Sequence, residues 1–119
     1  MSANAVATAP APGPSAADLA VAKALLERCR AVFAVQEAWW FGSRANGTGH
    51  ANSDWDLLVV APSEVDAFER MSIANRATRS VPVECDIFVL TPAEFARDRS
   101  RFFTISWSAS HNGMRIDGW

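Results

Sequence analysis

The sequence predicts one small α/β or α+β domain, and three observations carry that prediction. The chain has 119 residues, which is the length of a single domain. Half of the residues are hydrophobic, so a packed core can form and a wholly disordered chain is excluded. Apolar residues recur with helical or strand-like spacing in the order helix, strand, strand, helix, strand, helices.

The first element predicted is an amphipathic helix. Ser15, with Asp18 three residues later, is typical of a helix start. Apolar residues then recur every three or four positions as far as Phe33. The preceding residues, 1–14, are rich in Ala and Pro and lack the basic start and apolar stretch of a signal peptide. We therefore expect a disordered tail at 1–14 and a domain at 15–119.

Short apolar runs predict the strands. Ala38–Phe41, which ends at a glycine, and Asp54–Val60, which is stopped by a proline shortly after, predict two buried strands. Val83–Leu90 is rich in β-branched and aromatic residues and predicts a third strand. Met114–Ile116 predicts a brief strand near the end of the chain.

Further helices are predicted between and after these strands. Ser63–Ser80 carries apolar residues at helical spacing, among them Val65 and Phe68. Thr91, followed by a proline, is typical of a helix cap with proline at the first helical position. Residues 101–110, rich in Phe, Trp and Ser, predict a last short helix.

Charge and cysteine content narrow the class of protein. Eleven basic against thirteen acidic residues give a net charge of −2, which argues against nucleic acid as a partner. Cys29 and Cys85 are too few for a disulfide scaffold and lack metal-ligand spacing, so we expect buried free thiols in a reducing cytoplasm. No apolar run approaches the roughly 18–20 residues that cross a membrane. The oligomeric state stays open.

Two carboxylates begin the second predicted strand. Side chains alternate along a strand, so Asp54 and Asp56 point the same way, about 7 Å apart. Such a pair is repulsive and costly to desolvate. A positive group must lie nearby, and there are two candidates: Arg44, or a divalent cation such as Mg²⁺, which takes hard oxygen ligands.

A third carboxylate fits the same site. In the third predicted strand, positions 83, 85, 87 and 89 are apolar and fill one face, which leaves Asp86 on the other. If this strand neighbours the second, Asp86 joins Asp54 and Asp56 in a triad able to hold two metal ions ~3.5–4 Å apart. Two metals and a carboxylate are suited to in-line attack on phosphorus.

A phosphate-binding loop is predicted just before the carboxylates. Gly42 permits close approach of the backbone, and Ser43 can cap a short helix whose free N–H groups face a phosphate. The guanidinium of Arg44 adds donors for a triphosphate. Ten residues separate Ser43 from Asp54.

These motifs resemble the nucleotidyltransferases related to DNA polymerase beta. Phe41–Gly47, followed by Ser53–Val59, is similar to the minimal, MNT-type stand-alone members, although Trp55 stands where the family more often has a smaller aliphatic residue. The resemblance implies a polymerase-beta-like fold with a small mixed sheet of about three to five strands flanked by helices. It implies metal binding by Asp54, Asp56 and Asp86, with Asp86 also activating the attacking hydroxyl.

The same resemblance implies the nucleotide site and the biological role. By it, Gly42 and Ser43 hold the phosphates of ATP or another NTP, with Arg44 beside them. The expected reaction is Mg²⁺-dependent transfer of NMP, AMP from ATP, to a hydroxyl. Stand-alone members resemble antitoxins that modify a helical HEPN-type toxin. The alternatives are a non-catalytic nucleotide- or toxin-binding protein and a small-molecule (antibiotic) nucleotidyltransferase.

Overall fold

The fold is a four-stranded mixed sheet with helices on both faces. A computed structural model describes residues 13–49 and 53–119. In chain order the elements of this part of the chain are α1 (Ala16–Arg30), β1 (Glu37–Phe41), β2 (Trp55–Val60), α2 (Ala67–Ala77), β3 (Cys85–Leu90), α3 (Pro92–Asp98), α4 (Ile105–Asn112) and β4 (Met114–Arg115). The predicted α/β (α+β) class and its element order are confirmed.

Each of the four helices in the described residues begins after a capping residue, whose side chain accepts a hydrogen bond from the backbone N–H three positions on. This satisfies one of the N–H groups that the first helical turn leaves without a partner. The capping residues are Ser15, Asp66, Thr91 and Thr104. The predicted helix starts at Ser15 and Thr91 are thus confirmed, and Thr91 forms a full capping box with Glu94.

The strand order is β3-β2-β1-β4. Strand β2 runs antiparallel to β1 and parallel to β3, and β4 pairs antiparallel with β1. The parallel pair needs a crossover, which α2 supplies between β2 and β3. The second and third predicted strands are therefore neighbours, which is the condition that the carboxylate triad requires.

Strand alternation divides the apolar residues between two cores. The larger core joins α1 to the sheet face that carries Trp55, Leu57 and Val59, as predicted. The smaller core joins α3 and α4 to the opposite face, through Leu58 and Val60. Because side chains alternate along β2, Asp56 shares the α4 face with these two residues. The acidic positions thus lie beside α4.

Several helices and strands are shorter than the sequence predicted. Helix α1 ends at Arg30 rather than near Phe33, and α2 is several residues shorter at both ends than Ser63–Ser80. Strand β3 begins at Cys85 rather than Val83, so Asp86 is its second residue and is exposed. This position at the end of a strand explains how the sheet accommodates a charged side chain.

The apolar face predicted for α2 is correct only in part, because Ile73 and Ala77 are partly buried whereas other members are exposed. Phe68 is 80% exposed and Val65 is also exposed, whereas Arg70 is buried. The guanidinium of Arg70 donates to both carboxylate oxygens of Glu94 in α3, at 2.9 and 3.1 Å. A buried arginine is tolerated because the bidentate ion pair with Glu94 compensates for the desolvation of its charge. The ion pair between α2 and α3 therefore places a charged residue at a buried position outside the predicted apolar face.

Three further predictions concern the cysteines, the N-terminal tail and membrane-spanning segments. Cys29 is a buried free thiol, and Cys85 is a partly buried one. The predicted tail lies outside the described residues, apart from Gly13 and Pro14. Within the part of the chain that the structure describes, no helix has the length and apolar character needed to cross a membrane.

Candidate active site

Three carboxylates lie along the edge of the sheet where β2 and β3 begin. Asp56 and Asp86 are paired residues in the parallel register. Asp54 lies two positions before Asp56 and therefore on the same side of the extended chain. Asp56 is half-buried, and the other two are exposed. The structure thus places the three predicted acidic residues at one edge.

Burial and mutual repulsion disfavour the charged forms of the carboxylates at this edge. Burial, followed by the charges of Asp86 and Asp54, raises the pKa of Asp56 to about 6. Across residues 13–49 and 53–119, none of the ion pairs involves any of these three side chains. The carboxylates repel one another, and the described residues do not compensate their charge.

The donor chemistry fits a divalent cation, but the ligand geometry is not preformed. The carboxylates supply only hard oxygen ligands, which Mg²⁺ prefers. Within the described residues, however, no three His, Cys, Asp or Glu side chains are grouped closely enough to hold an ion. Asp54 and Asp86 are exposed, so a change of rotamer is open to both. Cation binding by the triad, with one ion or two, stays a prediction.

Gly42 packs directly against the half-buried carboxylate. Its φ of +87° lies in the left-handed region, which favours glycine. A Cβ at this position would collide with Oδ2 of Asp56. Glycine is therefore required both by the backbone conformation and by the approach to Asp56.

The loop after Gly42 is a hydrogen-bonded turn. The N–H of Asn46 donates to the carbonyl of Gly42 at 3.3 Å, and the N–H of Thr48 donates to the carbonyl of Ser43 at 2.9 Å. The prediction that Ser43 caps a short helix was wrong, because these residues form turns and no α-helix begins here. The compact turn still holds Ser43 next to Gly42 and Asp56.

A cleft of about 480 Å³ opens over these residues. It brings Gly42, Ser43 and Asp56 together, as predicted. It also contains Ser108 and Asn112 from α4, which the sequence analysis did not single out. Its lining residues are Phe41, Gly42, Ser43, Asn46, Thr48, Asp56, Ser108 and Asn112. The two α4 residues belong to no motif, and only the packing of α4 on the sheet shows that they face the site.

Arg44 is not among the lining residues of this cleft. Its guanidinium donates to Asp18 Oδ1 at 3.1 Å and to the carbonyl of Ser53 at 2.9 Å, and it lies 3.9 Å above the ring of Trp55. The indole N–H of Trp55 donates to the carbonyl of Asp18 at 3.3 Å. These contacts tie the loop, the segment before Asp54 and α1 together. Nucleotide binding by Arg44 stays a prediction, whereas its structural contacts are observed.

We expect Arg44→Lys to lower the free energy of unfolding by roughly 1–2 kcal/mol, because lysine cannot keep the forked hydrogen bonds and the stacking on Trp55 together. Chemical denaturation checks this value. Arg28→Lys, an exposed exchange on α1, is the matched control. Equal stability of Arg44→Lys and the native chain would show that these contacts do not stabilise the loop.

The raised pKa of Asp56 predicts a stability that depends on pH. An acid whose pKa is higher in the folded state binds more protons when folded, so stability falls as pH rises. For Asp56 the decrease lies between its ordinary pKa of 3.8 and about 6. Without added metal, we expect its ¹³C carboxyl resonance to titrate near pH 6. A midpoint near 4 would show that burial and the neighbouring carboxylates do not raise the pKa of Asp56.

The comparisons with known proteins identify the family of this chain. The model of the nucleotidyltransferase domain family matches residues 22–111, a span that contains all three acidic residues, the Gly42–Ser43 turn and most of α4. The chain belongs to this family and is a transferase enzyme. No curated protein matches it significantly.

Among solved structures, the chain is similar to a candidate nucleotidyltransferase from Sulfolobus solfataricus, with 34% identity, a TM-score of 0.52 and coverage of 66% of this chain and 71% of the other. It is also similar to a chain of a toxin–antitoxin structure with AMP-PNP, with 21% identity, a TM-score of 0.54 and coverage of 78% and 69%. A mutant of the MntA–HpeT toxin–antitoxin gives 21% identity, a TM-score of 0.54 and coverage of 82% and 70%. The last two likenesses concern the fold.

Proposed function

We propose that this protein transfers AMP from ATP to a hydroxyl group of a partner protein, with a divalent cation, Mg²⁺, held by Asp54, Asp56 and Asp86. The observation that carries the proposal is the cleft in which the Gly42–Ser43 turn meets the half-buried Asp56. The raised pKa of Asp56, caused by burial and by the charges of Asp86 and Asp54, supports it.

The residues that line the cleft, and the carboxylates beside it, have separate roles in this proposal. The Gly42–Ser43 turn binds the phosphates, through backbone N–H groups and the Ser43 hydroxyl. Asp86 accepts the proton of the attacking hydroxyl on a carboxylate oxygen. A cation bound to the carboxylates supplies neutralisation of phosphate charge. Most of the rate enhancement comes from orientation and charge stabilisation rather than from covalent participation of the protein.

The proposed reaction balances in atoms and charge. A bond forms between the acceptor oxygen and the α-phosphorus of ATP. The bond from the α-phosphorus to the bridging oxygen of the β-phosphate breaks, and pyrophosphate leaves with the electron pair. The acceptor becomes an AMP ester, and its proton passes to Asp86 and then to solvent.

The solved relatives support the donor and the kind of partner. One relative belongs to a toxin–antitoxin structure that contains AMP-PNP, an analogue of ATP. A toxin, of the helical HEPN type, is accordingly our proposed partner.

The position of the label in ATP tests this proposal. The protein is incubated with Mg²⁺, host lysate and ATP labelled at either the α- or the γ-phosphate. Lysate without the protein is the control, because host kinases also transfer the γ-phosphate. We expect the protein to add a protease-sensitive labelled species from α-labelled ATP only. Label added from the γ-position would indicate a kinase, and label added in a small molecule alone would favour the antibiotic type of nucleotidyltransferase. Either result would overturn AMP transfer to a protein.

A further inference from the structure

A second feature of the molecule lies at the start of α4, outside the residues that line the cleft. It is an aromatic patch, the name we use for Phe102, Phe103, Ile105 and Trp107. The ring centroid of Phe102 lies 4.1 Å from that of Phe103 and 4.6 Å from that of Trp107. Phe103 is 89% exposed and Phe102 is 60% exposed. The rings form a continuous apolar surface in contact with water, which is typical of interaction sites.

The backbone at the patch is strained. Phe103 has a φ of +71°, in the left-handed region that side chains with a Cβ disfavour. It is the only non-glycine residue with a positive φ among residues 13–49 and 53–119. A strained backbone and a largely exposed ring therefore coincide at Phe103. Strained residues of this kind cluster at functional sites.

The segment beside the patch is positively charged. Residues 97–101 contain three arginines and one aspartate, in a chain whose net charge is −2. Arg97 and Arg101 share Asp98 as their partner, at 2.9 and 3.3 Å, so one carboxylate serves two exposed guanidinium groups. Arg99 lies over the ring of Phe95. The positive charge of these arginines that Asp98 does not neutralise favours a partner with acidic groups.

The patch adjoins the cleft through α4. Trp107 stacks on His111 with ring centroids 4.6 Å apart. Each of these residues precedes a lining residue of the cleft, Ser108 or Asn112. Successive residues of a helix are about 100° apart around its axis, so the two sets lie on neighbouring faces of α4. A protein seated on the patch is thereby placed next to the cleft.

We propose that the aromatic patch is the docking surface for the protein that carries the accepting hydroxyl, and that this partner presents an apolar surface bordered by carboxylates. The inference rests on the proposed function, because it supplies the surface that selects the acceptor. Exposed aromatic rings next to arginines have the composition of binding hot spots. The arginines favour the acidic border, and the rings supply the apolar contact.

The test uses the full-length double variant Phe102→Ser/Phe103→Gly. Glycine removes the ring of Phe103 and also relieves the strained φ, so we expect a melting temperature for Phe103→Gly equal to or above that of the native chain. In host lysate with Mg²⁺ and α-labelled ATP, the double variant is expected to label protein at about one tenth of the native rate or below. Binding of a non-hydrolysable ATP analogue, followed by fluorescence, stays unchanged.

The matched control is Phe68→Ser, which removes an equally exposed ring from α2. We expect this variant to label protein at the native rate. Equal labelling by the native chain and the double variant would overturn the docking surface and leave AMP transfer standing. No protein labelling by the native chain would overturn the protein acceptor as well. Loss of self-association in the double variant, with labelling unchanged, would show that a second copy covers the patch and would overturn the proposal.

The acidic border has its own test. Arg101→Glu is expected to slow protein labelling roughly threefold or more, and to make the rate less sensitive to salt. Arg79→Glu makes the same charge change at an exposed residue after α2 and is expected to leave the rate near native. Equal rates for the two variants would overturn the carboxylate border of the partner.

Discussion

Asp56→Asn is expected to lower nucleotidyl transfer by about 10³-fold, which is the upper range for loss of one preorganised electrostatic group. Asp56 is the carboxylate that lines the cleft, and in the register it lies opposite Asp86. The amide that replaces it cannot supply negative charge to a cation. Transfer of label from α-labelled ATP to protein, in lysate with Mg²⁺, measures the loss.

The same substitution is expected to raise the melting temperature at pH 8. Burial and two neighbouring carboxylates raise the pKa of Asp56 to about 6, so its charged form destabilises the folded chain above that pH. An uncharged amide removes this repulsion. Asp66→Asn is the matched control, because Asn caps a helix as well as Asp does. A variant that is inactive and also less stable than the control would contradict the electrostatic account.

Gly42→Ala is expected to reduce both stability and transfer. A left-handed φ costs a residue with a Cβ about 1–3 kcal/mol, and the new methyl group would also collide with Oδ2 of Asp56. Displacement of that carboxylate is expected to slow transfer by about 10²-fold, since small misplacements of reacting groups have effects of this size. Urea denaturation and pyrophosphate release provide the two measurements.

The control for the glycine variant is Gly118→Ala. A Cβ at Gly118 meets nothing within 4 Å, so this substitution is expected to leave both measurements near native. If Gly42→Ala were as stable and as active as Gly118→Ala, the close approach of Gly42 to Asp56 would have no part in the site.

Local patterns predicted the acidic edge because period-two alternation decides which side chains share a strand face. Asp54, Asp56 and Asp86 could be placed together once two neighbouring strands were assumed, and the parallel register confirms that assumption. The helix starts at Ser15 and Thr91 were predictable for a similar reason, since capping depends on residues within one turn.

Features that depend on tertiary packing could not be predicted. Ser108 and Asn112 reach the cleft only because α4 packs across β1 and β2. Arg70 is buried although it lies outside the apolar pattern of the sequence, because Glu94 arrives from another helix. Arg44, predicted as a phosphate contact, is bound to Asp18, which lies 26 positions earlier in the chain. In each case the partner is distant in sequence.

Binding of Mn²⁺ tests the central claim, that the carboxylates at the start of β2 and β3 act together as ligands of a cation. Electron paramagnetic resonance of free Mn²⁺ would be followed during titration with the native chain and with Asp54→Asn/Asp56→Asn, each with and without AMP-PNP. We expect the native chain to bind Mn²⁺, to bind it more tightly with the nucleotide, and to lose both effects in the double variant. Equal Mn²⁺ binding by the native chain and the double variant would contradict the account.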